Sequence, residues 1–281
     1  MTSSVVTPPG QPQDATFSPL QQRRFGGLER LYGMRGAGQI RSSHVVVIGI
    51  GGVGSWAAEA LARSGVGQLT LIDLDHVAES NINRQIHALE GTVGQAKVLA
   101  MRDRISQINP DCVVHCIEDF VEPANWSTLL PHGIDAVIDA CDQVQAKTVM
   151  AAWARNTRTL FISVGAAGGK RQAHHVDIAD LANVTHDPLL AQLRYRLRKH
   201  HGAPKDGKKM SIPCVFSREA VAPPDASCGL EGDGSLNCHG YGSVVAVTAT
   251  FGQCAAGWIL DALATKAKSL ENDAIMQGCS G

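Results

Sequence analysis

The chain has 281 residues, of which 44% are hydrophobic, which allows one large domain or two modest ones around a sizeable core. Lys and Arg number 25 against 26 Asp and Glu, so the molecule is not a polycation, and any nucleic-acid contact must come from a local basic patch. Eight scattered cysteines and a start without a secretory apolar run point to free thiols in a reducing, cytoplasmic setting.

Residues 1–21 are rich in Pro, Ser, Thr and Gln and carry no apolar period, so a disordered tail is expected there, followed by a single domain over 22–268. His44–Ile48 is a short apolar run ending in glycines, the pattern of a buried strand, and Val53–Arg63 follows as a helix. Gln68–Ile72 is a second strand. Lys97–Ile108 has a helical period and stops at Asn109-Pro110. Cys112–Ile117 reads as a buried strand, Ala136–Ala140 as a strand, Gln143–Asn156 as a helix, and Thr159–Val164 as a further strand. Alternation of this kind predicts an α/β fold, a mostly parallel sheet with helices on both faces.

After Gly169 the rhythm changes, and an elaborated C-terminal third (about 170–268) is expected to serve substrate or interface. Pro188–His201 is an amphipathic helix with Asp187 at its N-cap and Leu189, Leu190, Leu193 and Leu197 as its apolar stripe. Residues 202–242 are loop-rich, with one short strand near Cys214–Ser217. From Val244 to Leu260 run 17 residues without a charge. That run is short for a membrane span and holds Gln253, Thr248 and Thr250, so it is read as a buried core or interface helix, and membrane association is not expected.

The segment from Gly49 through Gly51, Gly52 and Gly54 follows a strand and opens a helix. Such glycines let backbone approach a phosphate, and the helix N-terminus favours its charge. Asp73 ends the next strand, where a Rossmann-like fold places an acid on ribose hydroxyls. This much does not separate a dinucleotide from ATP. Arg84, Lys97 and Asp142 further on do: a nicotinamide site has little use for them, whereas phosphoryl or nucleotidyl transfer needs cations on the phosphates and a carboxylate for magnesium.

The run Gly49–Ser55, the Asp73–Asp75 pair and Ser80–Gln85 resemble the adenylation domain of ubiquitin-activating enzymes and their bacterial relatives in molybdopterin and thiamine synthesis, over about residues 22–165. The resemblance implies ATP with its ribose on Asp73, with Asp75, Asn81, Arg84, Gln85 and Lys97 around the nucleotide and Asp142 on Mg2+. It also implies a homodimer in which Arg24 reaches the partner subunit's site. Arg24-Phe25-Gly26-Gly27, Asn83–Leu89, Cys214–Ser217 and Val247–Gly252 resemble, more narrowly, the tRNA threonylcarbamoyladenosine dehydratases, from about residue 22 to 264. That family cyclises the threonylcarbamoyl group on the adenosine beside the anticodon, consuming ATP.

Some superfamily members bind zinc through two Cys-x-x-Cys pairs; this chain has none, and no zinc is expected. Among the thiols of the loop-rich region, Cys238 is the candidate for a catalytic role, against the plainer reading of a packing or loop thiol. Seven Lys or Arg residues lie between Arg194 and Lys209. Of these Arg194, Arg198, Lys205, Lys208 and Lys209 are the candidates for contact with tRNA phosphates, against a merely solvated face. Sulfur-relay proteins remain open as further partners. The competing functions are activation of a ubiquitin-like sulfur carrier, a nicotinamide-dependent dehydrogenase, and an inactive nucleotide-binding scaffold.

Overall fold

A computed structural model describes residues 19–205, 207–225, 227 and 241–278, with side chains through 265. Its strands are β1 His44–Ile48, β2 Gln68–Ile72, β3 Val113–Ile117, β4 Ala136–Asp139, β5 Leu160–Val164, β6 Val176–Asp180 and β7 Pro213–Ser217. Its α-helices are α1 Pro19–Ser42, α2 Gly54–Arg63, α3 Lys97–Ile108, α4 Trp126–Leu129, α5 Val144–Thr157, α6 Pro188–His200 and α7 Val245–Gly278. The seven strands form one sheet in the order β3-β2-β1-β4-β5-β7-β6. Every neighbouring pair is parallel except β6–β7.

Alternation along β1 sorts the core into two layers, as the period of two requires. Val45 and Val47 face a cluster built with α1, α2, α3 and α7 through Ile40, Leu61, Met101, Phe251 and Leu263. Val46 and Ile48 face a second cluster with α5 and α6 through Met150, Phe161, Leu190, Leu193 and Leu197. Each of these side chains is fully or almost fully buried, and burial of one such group contributes about 1.5–3 kcal/mol. The sheet thus has helices on both faces, as the strand–helix alternation predicts.

Several elements depart from the sequence reading. The first helix begins at Pro19, inside the expected tail, and residues 22–42 had no element assigned. Five glycines disguise this helix. It breaks at Gly33 (φ 78°), and Gly36 packs so closely on α7 that a Cβ there would lie 3.2 Å from that of Ala264. The strand β3, expected to be buried, is the sheet's edge; Val113 is half exposed. The strand β6 was not anticipated, because an antiparallel edge strand of mixed polarity carries no apolar run. The charge-free run lies in α7, a core helix with Val247, Phe251, Ala255, Ala256 and Ile259 buried. Among the described residues, no helix is long and apolar enough to cross a membrane.

The contact of α2 with α7 depends on Gly252. A Cβ there would lie 2.5 Å from the Val53 carbonyl oxygen and 2.9 Å from the Ala57 nitrogen, both backbone. Gly257 on the same helix faces open space. Gly252→Ala should therefore destabilise the fold by about 1–3 kcal/mol through overpacking. Gly257→Ala, gaining helix propensity, should be neutral or stabilising by up to about 1 kcal/mol. Equilibrium urea denaturation of the pair checks this; equal midpoints would contradict the packing argument.

Candidate active site

The connections leaving β1 and β4 run in opposite directions along the sheet, and their carboxyl ends open the crevice where such folds bind ligands. The glycine loop spans this crevice. Gly49 sits at φ 82°, and a Cβ on it would lie 2.8 Å from the Ala140 oxygen and 2.9 Å from the Cys141 nitrogen. The turn after β4 therefore presses against the loop, and that turn carries Asp142. A Cβ on Gly54 would lie 1.8 Å from the Gly49 oxygen, so the turn into α2 closes only without a side chain. Gly51 is different: nothing lies within 4 Å of a Cβ there, which leaves open space over the helix N-terminus for a phosphate.

Asp73, at the end of β2, accepts the Ile50 N–H at 2.6 Å and the Asp75 N–H at 2.8 Å. Burial pushes its carboxyl above the usual range, and nearby Lys97 and the two N–H bonds pull back. Its oxygens thus join the glycine loop to the end of β2. Asn81 and Gln85 are buried. Asn81 Oδ1 accepts the Ala78 N–H at 3.1 Å. Gln85 Oε1 and the Ser55 hydroxyl, both buried, have no hydrogen-bond partner among the described residues, a pattern that suits a polar ligand.

The cations are held in place. The Trp56 indole N–H binds the Arg84 carbonyl at 2.9 Å, and the Arg84 stem would lie 3.2 Å from a Cβ on Gly52. Its guanidinium donates to the Ser80 carbonyl at 2.7 Å and to Asn83 Oδ1 at 2.9 Å. Lys97 opens α3, is largely buried, and pairs with Asp75 at 2.6 Å. Asp142 is exposed and has no ion pair among the described residues, and a carboxylate is a donor that suits a hard divalent cation.

The structure thus brings together Gly49, Gly51, Gly52, Gly54, Asp73, Asp75, Asn81, Arg84, Gln85, Lys97 and Asp142. Arg24 is elsewhere in its own subunit, donating to the Ile108 carbonyl at 2.9 Å. Arg194 reaches back to the carbonyls of Leu181 and Val184 at 3.0 and 2.9 Å, and Arg198 to that of Pro204 at 3.1 Å. Lys205, Lys208 and Lys209 are exposed. Cys238 lies outside the described residues.

The sequence reading missed Lys147. It is fully buried and donates to both oxygens of buried Asp139 at 3.0 Å, to the Val164 carbonyl at 2.7 Å and to the Ser163 hydroxyl at 3.3 Å. Burial would lower its pKa, but the charge and hydrogen bond of Asp139, with smaller contributions from Cys141 and Cys214, together hold it raised. The signal was present: Lys147, Ala151 and Ala154 share one apolar stripe of α5, and a charge on such a stripe needs a buried partner. His87 was also passed over. It is buried with neither ring nitrogen bonded among the described residues, and burial pushes it down to about 4, leaving a neutral imidazole.

Fold and site together define a nucleotide-binding α/β protein. The ThiF family matches residues 25–277, and the chain belongs to it. It is 44% identical over 260 residues to the Escherichia coli tRNA threonylcarbamoyladenosine dehydratase, covering 89% of this chain and 97% of the relative. It is 43% identical over 247 residues to the Haemophilus influenzae protein of the same name, covering 87% and 95%. The solved structure of the E. coli enzyme in complex with ATP aligns at a TM-score of 0.82 with 41% identity, covering 91% of this chain and 99% of that one.

Lys147→Met should leave the Asp139 carboxylate buried and unpaired, at a cost of about 3–5 kcal/mol. Adding Asp139→Asn should recover a large part of that loss, because no bare charge then remains. Urea denaturation of both variants tests the pair; a double variant as unstable as the single one would show that charge pairing is not the issue.

Proposed function

We propose that this chain is an ATP-dependent tRNA threonylcarbamoyladenosine dehydratase, a cytoplasmic homodimer that activates a carboxylate on tRNA as an acyl-adenylate. The observation that carries the reading is the convergence of Arg84, Lys97 and Asp142 on an open glycine loop, in a chain matched over nearly its whole length by relatives of that name.

In the reaction the threonyl carboxylate attacks the α-phosphorus of ATP and expels pyrophosphate. Asp73 holds the ribose; Arg84 and Lys97 meet the charge that builds on the phosphates. Asp142 is the residue that would hold a magnesium ion, which when bound would supply charge neutralisation to the phosphates. A ureido atom of the same modified base then attacks the acyl carbon, losing its proton as AMP leaves with the carboxylate oxygen. The balance is one water removed from the base at the cost of ATP to AMP and pyrophosphate. Tethering of the nucleophile supplies a large effective molarity, so no protein thiol is needed.

The N-terminal Arg24 acts in the partner subunit's site, which its distance from its own glycine loop permits. A monomer mass in light scattering would remove that part. Exposed Lys205, Lys208 and Lys209 contact the tRNA backbone; Arg194 and Arg198, tied to carbonyls, shape the helix and loop that present them.

Mass spectrometry of tRNA nucleosides after incubation with MgATP tests the activity. Arg84→Ala and Lys97→Ala should each lower cyclic product formation by about a hundredfold or more, while Cys238→Ala keeps much of it. A Cys238→Ala protein that releases pyrophosphate normally but forms no cyclic base would establish a thioester route instead.

Neutralising Lys205, Lys208 and Lys209 together should weaken tRNA binding and flatten its salt dependence, because each lost phosphate contact releases fewer counterions. ATP binding should be unchanged. An unaltered salt slope in filter-binding titrations would reduce the segment to a solvated face.

A further inference from the structure

A cavity of about 470 Å³ opens not at the glycine loop but at the opposite end of α2 and α3, lined by Arg24, Phe25, Arg63, Arg104, Gln107 and Ile108. Arg63 ends α2, whose first residue adjoins the glycine loop; ten residues of helix put the two about 15 Å apart. Ile108 likewise ends α3, which begins at Lys97. This cavity cannot serve the chain's own nucleotide.

Its electrostatics are one-sided. The acid that serves it is Glu59, whose side chain is 3% exposed. Arg104 grips Glu59 through two bonds of 2.6 and 3.1 Å, and Arg63 through one of 2.7 Å. Arg24 is fixed separately on the Ile108 carbonyl at 2.9 Å, which also neutralises the negative end of α3. Three guanidiniums against one carboxylate leave a net charge of +2 in a concave site. Each guanidinium has five donors and spends one or two on these anchors, so most of their N–H groups remain.

We infer that this pocket is a binding site for a phosphate group. A carboxylate is planar and satisfied by one guanidinium fork, whereas cations supplied by three helices suit a tetrahedral oxyanion reached from several sides. The net charge of +2 accommodates either a phosphodiester, with one negative charge, or a terminal phosphate, with nearly two. The anchors hold the guanidiniums close despite their mutual repulsion, so the site is organised before the ligand arrives. The phosphate comes either from the RNA backbone or from a nucleotide held by a second copy of this chain. The phosphate site rests on the arginine cluster alone; the partner's nucleotide as its source rests on the proposed homodimer in which Arg24 acts across the interface.

Calorimetric titration of inorganic pyrophosphate into the full chain tests it, with Arg63→Gln and Arg24→Gln/Arg63→Gln as variants. Arg63→Gln keeps a neutral donor beside Glu59 while Arg104 stays bidentate, and thermal denaturation verifies its fold. Pyrophosphate affinity should fall at least tenfold in Arg63→Gln and further in the double variant. Two more titrations identify the source. A short RNA hairpin that loses affinity in Arg63→Gln, with a nonhydrolysable ATP analogue unaffected, marks the RNA backbone; the reverse marks a partner's nucleotide. If pyrophosphate, hairpin and analogue all bind both folded variants as they bind the wild type, the pocket is not an anion site.

Discussion

The nucleotide crevice depends on one buried ion pair. Lys147 and Asp139 are both fully enclosed, and together they join the carboxyl ends of β4 and β5 to α5. Two charges so deep in a protein are tolerated only because every lone pair and proton around them is spoken for. Asp139 also accepts the Ser163 hydroxyl at 2.7 Å and the Cys141 thiol at 3.1 Å. Burial and the Asp139 charge drive the Cys141 thiol well above its ordinary pKa, so it stays protonated and can donate. What this network fixes is the turn from Ala140 to Asp142, against which the glycine loop closes at Gly49. The carboxylate expected on magnesium is therefore positioned by a lysine five residues further on.

A second polar anchor extends this frame to the helix that carries the basic segment. Asp187 caps α6 by accepting the Leu190 N–H at 2.9 Å, and the same carboxylate accepts the Ala166 N–H at 2.9 Å, just past β5. Burial raises its pKa, and these N–H bonds with Lys170 offset the rise. A Cβ on Gly165 would lie 2.0 Å from this carboxylate, so the approach needs glycine there. The helix that carries the basic segment is thus keyed to the end of a strand of the central sheet.

How much of this was legible follows from which signals are local. The short apolar runs of β1 and β2 and the helical period of α3 and α6 locate these elements almost to the residue, because their burial is written locally in the chain. The glycine loop and its acids were legible because their spacing is set by backbone geometry rather than by partners. What stayed hidden depends on partners distant in sequence. The glycines of α1 look like loop until α7 is packed against Gly36. Strand β6 exists through its antiparallel pairing with β7. Lys147 looks like a surface charge until Asp139 and Val164 are placed around it. In each case tertiary contact overrides local preference.

The same distinction governs the charges. In the sequence the stretch from Arg194 to Lys209 reads as seven equivalent cations. In the fold they divide by chemistry. Arg194 and Arg198 spend planar, multi-donor groups on carbonyls, which a guanidinium does well because its hydrogen bonds are directional and its hydration is weak. The lysines, as strongly hydrated point charges on flexible stems, remain in solvent, where they can follow a polyanion without a fixed geometry. At the C-terminal ends of α2 and α3 the division is reversed. There Glu59 holds two guanidiniums in place and the Ile108 carbonyl holds a third, giving rigid donors a fixed direction. A near-neutral chain therefore carries two different positive surfaces, one adaptable and one preorganised. Net charge reports neither, because what distinguishes them is how each cation is tethered.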